Sequence, residues 1–146
     1  ASYNLLNAAF DSYPIYDQEE GNFIVSFPQF EQMNTYGETI EEAIYNAEEA
    51  LNGCIESDFQ RGFVIPEIKE ITGKDYHKIS IRPHIEIALQ LRKIRDKKSQ
   101  IELAKELGIS YQAYQRLENP RRCNPTVKTL EKIAKVFNKD LEILIK

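Results

Sequence analysis

Histidine and cysteine occur only twice each in 146 residues and tryptophan is absent, and these shortages remove several classes of chemistry at once. Cys54 and Cys123 lie in different segments, with no His or Cys at metal-ligand spacing. Free thiols are therefore expected, rather than a zinc site or a disulfide framework. His77 precedes an apparent strand and His84 follows a proline, positions that suit surface histidines better than a catalytic base. The chain also lacks a P-loop, a dinucleotide-binding glycine fingerprint, a GxSxG elbow and an HExxH pair. No enzyme activity, catalytic residue, metal or cofactor is expected. No apolar run approaches the roughly 20 residues of a membrane span, and no basic stretch followed by an apolar one opens the sequence. A cytoplasmic protein with no membrane partner is expected.

Basic residues are scarce in one half only. Residues 1–83 carry 5 Lys+Arg against 15 Asp+Glu, a net of −10, whereas residues 84–146 carry 14 against 8, a net of +6; together they give the overall −4. Such a contrast points to different partners, a basic one for the first half and a polyanion for the second.

The first half reads as a small α+β domain. Tyr3 to Tyr16 mixes aromatics and aliphatics around Pro14 without a helical period, which suits a strand. Asp17 to Asn22 is a polar turn, Phe23 to Phe27 a β-rich run stopped by Pro28, and Gln32 to Tyr36 a third short strand before Gly37. Thr39 opens a helix with Glu42 three residues on, and the helix carries an apolar stripe at Ile40, Ala43, Ile44, Ala47, Leu51, Cys54, Ile55 and Phe59. Packing is the expected role of Cys54 on that stripe. Glu67 to Lys74 reads as a loop, and Ile79 and Ile81 alternate with polar neighbours as in a last strand. The predicted order is β-β-β-α-β. Glu41, Glu42, Glu48, Glu49, Glu56 and Asp58 mostly fall off the stripe. A metal-dependent nuclease would need three or four carboxylates converging from strands, so these six suit a solvated or partner-facing helix surface better.

Pro83 marks the boundary, where charge sign and hydrophobic period change together, giving domains at 1–82 and 83–146. His84 to Asp96 reads as a helix with Ile85, Ala88, Leu89 and either Leu91 or the Arg92 stem on its buried side. The stretch QIELAKELGISYQAYQRLEN, Gln100 to Asn119, then has the residue types of a helix-turn-helix. Ser99 and Ser110 can cap its two helices, Gly108 tolerates the positive φ of the turn, and Ala104 is small where the helices touch. Leu103, Leu107, Ile109, Tyr114 and Leu117 fall inward. Tyr111, Gln112, Gln115 and Arg116 fall outward, at spacings able to enter a DNA major groove. Gln112 and Gln115 suit adenine edges and Arg116 a guanine. Gln100 and Ser110 at the helix starts, and Arg121 and Arg122 in the loop that follows, complete the candidate DNA-binding set. Arg92, Lys93, Arg95, Lys97 and Lys98 would flank it where phosphates run. Thr126 caps a fourth helix with Val127, Leu130, Ile133, Ala134 and Phe137, and Asp140 opens a fifth with Leu141 and Leu144. An all-α domain of five helices is expected.

Two family resemblances rest on these residues. Residues 88–145 resemble the Cro/repressor (XRE-type) helix-turn-helix domains through SQIELAKELGISYQAYQRLENP and NPTVKTLEKIAKVF. Residues 13–66 resemble the N-terminal domain of HicB antitoxins through YPIYDQEEGNFIVSFP, YGETIEEAIYNAEEAL and the Ile65-Pro66 pair. The second resemblance implies a partial RNase H-like fold without the nuclease's catalytic carboxylates. It also implies a HicA-like partner, a small basic mRNA interferase that the protein binds and silences, and repression of its own operon. The expected toxin-facing residues are the acidic Glu19, Glu20, Glu41, Glu42, Glu48 and Glu49, and the expected partners are the toxin, operator DNA and further copies in a homodimer or higher homo-oligomer. A stand-alone regulator whose first domain dimerises or senses a ligand is the alternative.

Overall fold

The computed structural model describes residues 2–4, 9–15, 23–27, 33–65 and 77–145. In chain order these form β1 (Ser2–Asn4), β2 (Ala9–Ile15), β3 (Phe23–Ser26), β4 (Asn34–Gly37), α1 (Ile40–Gln60), β5 (His77–Ser80), α2 (Pro83–Arg95), α3 (Gln100–Leu107), α4 (Tyr111–Leu117), α5 (Val127–Val136) and β6 (Asp140–Glu142). They fall into two compact units, one spanning Ala8–Ile81 and the other Arg82–Lys146 together with the N-terminal segment that contains β1. The turn at Asp17 to Asn22, the loop at Glu67 to Lys74, and Glu19 and Glu20 lie outside the described residues.

The first unit has the predicted β-β-β-α-β order. Its antiparallel sheet runs β4-β3-β2-β5, with Ile15 opposite Ile24 and Ile24 opposite Tyr36. The alternation of β3 explains the layer: Val25 and Phe27 are buried, and so are Ala43, Ala47, Leu51 and Ile55 of α1, with Ile79 and Ile81. Ile40, placed on the apolar stripe by its spacing, is instead exposed, because it precedes the first turn that meets the sheet. The Thr39 side chain accepts from the Glu42 amide at 3.1 Å and caps α1. Gly37 abuts that first turn so closely that a Cβ there would stand 2.8 Å from both Ala43 Cα and the Glu42 carbonyl carbon. Asn52, a polar residue among the apolar ones, is buried. Its amide donates to the Glu48 carbonyl at 2.7 Å and to the Ser80 carbonyl at 3.2 Å, fastening α1 to β5.

The second unit departs from the sequence reading at its end. Its helices are α2 to α5, four among the described residues, and Asp140–Glu142 is a strand that pairs in parallel with β1. The expected fifth helix is absent, and the unit is not all-α. Asn138 takes a left-handed φ of 52° just past the end of α5, which breaks the helical run, and the backbone beyond it pairs with β1 through Leu141 and Tyr3, so strand hydrogen bonds to a distant segment replace helical ones. The strand expected to end near Tyr16 is β2, whereas β1, which precedes it, belongs to the other unit. Among the described residues no helix is long and apolar enough to cross a membrane.

Candidate nucleic-acid interface

Each boundary of the helix-turn-helix has a local cause. The Ser99 hydroxyl accepts from the Glu102 amide at 3.0 Å and starts α3. Gly108, at φ 70°, ends it in the left-handed conformation, and the Ile109 amide closes the turn onto the Ala104 carbonyl at 3.0 Å. The Ser110 hydroxyl then accepts from the Ala113 amide at 3.0 Å and starts α4. Leu103, Ala104, Leu107, Tyr114 and Leu117 join Leu91 and Ile133 in one core, with Ile109 and Phe137 packed on it. The side of α4 left to solvent carries Tyr111, Gln112, Gln115 and Arg116, all exposed.

The loop after α4 presents two more cations. The Asn119 side chain accepts from the Arg121 amide at 3.0 Å, an Asx turn that holds Arg121 and Arg122 on the surface. Pro120 and Cys123 point inward, and burial pushes the Cys123 thiol up to about 12, which marks it as a packing residue rather than a reactive one. Thr126 caps α5 through the Thr129 amide at 3.1 Å, leaving Lys128 and Lys132 exposed on the same unit.

Two of the cations read from the sequence as phosphate contacts are committed elsewhere. Arg95 Nε donates to Glu118 Oε2 at 2.6 Å and Nη2 to Oε1 at 3.0 Å, a bidentate pair, while Nη1 donates to the Lys98 carbonyl at 2.8 Å. The Glu118 side chain is 2% exposed and that of Arg95 18%. The hydrogen bond to Glu118 raises the Arg95 guanidinium above its already high value, against the opposing effect of burial. The Tyr114 hydroxyl is buried beside this pair without a well-formed hydrogen bond, and burial followed by the neighbouring Glu118 carboxylate drives its ionisation far out of reach. Lys98 pairs with Glu106 at 2.6 Å and lies over the Phe137 ring, 5.6 Å from its centroid. Gln100 is half-buried and donates to Glu118 at 3.3 Å, so its amide turns inward rather than joining the α4 face. No local signal could have paired Arg95 with Glu118, which are 23 residues apart.

This network ties the end of α2 to the end of α4. Replacing Glu118 by alanine strands a largely buried guanidinium, and Arg95 keeps enough water to soften the penalty below that of a fully buried pair. A loss of about 2–3 kcal/mol is expected, read as a lower midpoint in urea unfolding. A midpoint unchanged from the parent protein would show that the pair contributes nothing net.

The acidic set sits differently. Glu41, Glu42 and Glu49 are exposed on α1 and Glu48 is half-buried, its carbonyl taken by Asn52. Among the described residues no three His, Cys, Asp or Glu side chains come together as a metal site. Cys54, half-buried, donates weakly to the Asp58 carboxylate at 3.8 Å, and its thiol is raised by burial and then by that carboxylate.

Comparison with known proteins divides the chain in the same way. Residues 12–81 match the family described as HicB-like antitoxin of bacterial toxin–antitoxin systems, and residues 90–144 match a helix-turn-helix family. A curated relative, Antitoxin HicB 1 of Photorhabdus laumondii, is 30% identical over 127 residues, an alignment covering 87% of this chain and 81% of that protein. The chain therefore belongs to the HicB antitoxin family and carries a C-terminal helix-turn-helix of the XRE type.

Proposed function

We propose that this protein neutralises a HicA-like mRNA interferase through its acidic first domain and represses its own operon through its basic second one, in the cytoplasm and with no activity of its own. The observation that carries the reading is the solvent face of α4. Tyr111, Gln112, Gln115 and Arg116 project from a helix whose other side is fully occupied by core, with Ser110 at its start and Arg121 and Arg122 just beyond it. Polar side chains so placed read base edges in a major groove, and the flanking cations hold the backbone. Gln100 keeps a supporting role, steadying Glu118 at the end of α4.

A single helix-turn-helix buries too little DNA surface for specific binding, so a homodimer on two half-sites about one helical turn, roughly 34 Å, apart is the assembly proposed. The division of labour falls at Pro83, with residues 1–82 for the toxin and 83–146 for DNA, and β1 lending a strand to the second. The sheet with one helix, in β-β-β-α-β order, is consistent with a partial RNase H-like fold that has lost its catalytic carboxylates. Glu41, Glu42, Glu48 and Glu49 of α1, with Glu19 and Glu20, form the toxin-facing set.

Mixing the purified chain with the neighbouring small basic protein is expected to give a stable complex that leaves RNA intact. Ribonuclease activity that persists in a saturating mixture would overturn the antitoxin reading.

A further inference from the structure

Helix α1 carries two features on its outward side that nothing among the described residues accounts for. Tyr45 is 62% exposed, an aromatic ring left in water on a helix whose core side is already filled by Ala43, Ala47, Leu51 and Ile55. Gly53 lies well inside the 21-residue helix and is exposed, and a Cβ added there would meet none of the described residues within 4 Å. Its φ is not among the positive ones. Neither backbone conformation nor packing against the described residues requires glycine at that position, although glycine weakens a helix relative to almost any other residue.

The two positions share a face. They are eight residues apart, about 12 Å along the helix axis, with Glu49 between them and Glu41 and Glu42 one turn before Tyr45. An exposed ring beside bare backbone is what a protein interface uses, the ring filling a pocket on the partner and the glycine admitting close approach.

Charge decides the occupant. Glu42 and Glu49 lie on this face with Glu41 and Glu56 beside it, and α1 carries no Lys or Arg from Ile40 to Gln60. That surface repels phosphate, which excludes nucleic acid and anionic membranes, and a second copy of the same face would set like charge against like. A basic polypeptide is complementary to it. We propose that the Glu42, Tyr45, Glu49 and Gly53 face of α1 is the docking surface for the basic partner protein, with Tyr45 as its central anchor and Gly53 as the point of closest approach. The proposal rests on the antitoxin reading, which supplies the partner as the HicA-like toxin.

The test titrates that small basic protein into the full chain by calorimetry, alongside Tyr45→Ala and Gly53→Gln. Tyr45→Ala is expected to weaken binding about tenfold or more while leaving the far-UV circular dichroism unchanged. Gly53→Gln separates docking from stability, because it is expected to raise the melting temperature by a few degrees, roughly the gain for removing a mid-helix glycine, and yet to weaken binding about tenfold or more. If the parent chain binds and both variants bind equally well, the docking face is overturned and the antitoxin reading stands. Failure of the parent chain itself to bind would remove the antitoxin reading and, with it, the occupant proposed for α1.

Discussion

Replacing Gln112 and Gln115 together by alanine is expected to abolish specific binding to the DNA upstream of the gene without loosening the protein. Both side chains are exposed on α4 and take no part in the core, so stability should stay within about 0.5 kcal/mol of the parent. Each glutamine that makes a paired hydrogen bond to an adenine contributes about 1–3 kcal/mol of discrimination. Two per helix give about 2–6 kcal/mol, a loss of roughly thirtyfold to more than ten-thousandfold, and a dimer doubles the contacts. Fluorescence anisotropy with operator and scrambled duplexes reads this directly. Specific affinity should fall toward the non-specific value, whereas the salt dependence should hardly change because no cation has been removed. Binding of the basic partner should also be untouched, since those glutamines lie in the other unit. An operator affinity equal to that of the parent would mean that α4 does not read the bases.

Replacing Gly37 by alanine is expected to act on the opposite half and by a different mechanism. The added Cβ would press on the backbone of Glu42 and Ala43, with Ala43 Cα and the Glu42 carbonyl carbon at 2.8 Å. Backbone at the capped start of a 21-residue helix cannot retreat as a flexible side chain can. Either β4 leaves β3 or α1 lifts from the sheet. The cost should reach the upper end for overpacking, about 3 kcal/mol, a large share of the stability of a domain this size. A lower melting temperature for the first unit and weakened capture of the basic partner are expected, with operator binding kept. An unchanged melting curve would show that the approach of β4 to α1 relaxes without penalty.

The same position shows why a short sequence motif can be specific. In Gly37-Glu38-Thr39-Ile40-Glu41-Glu42-Ala43 the glycine is required by the approach of β4 to the helix, the threonine by the orphan amide of Glu42, and the alanine by the sheet beneath. Each constraint acts within a few residues, so each leaves a readable residue type. The caps at Ser99, Ser110 and Thr126, the left-handed Gly108 and the inward set of the helix-turn-helix are legible for the same reason.

What the sequence determined by itself was therefore local: the β-β-β-α-β order, the helix-turn-helix, the outward Tyr111, Gln112, Gln115 and Arg116, and the split of charge between the two halves. Tertiary structure alone decided which residues of distant segments meet. It joined Arg95 and Gln100 to Glu118, buried Asn52 between α1 and β5, and made Asp140–Glu142 a strand beside β1 instead of a fifth helix. The physical reason is the same in each case. A cap, a turn or an amphipathic period is stabilised by neighbours in sequence, whereas a buried ion pair or a short strand exists only because a partner far along the chain supplies the missing charge or hydrogen bonds.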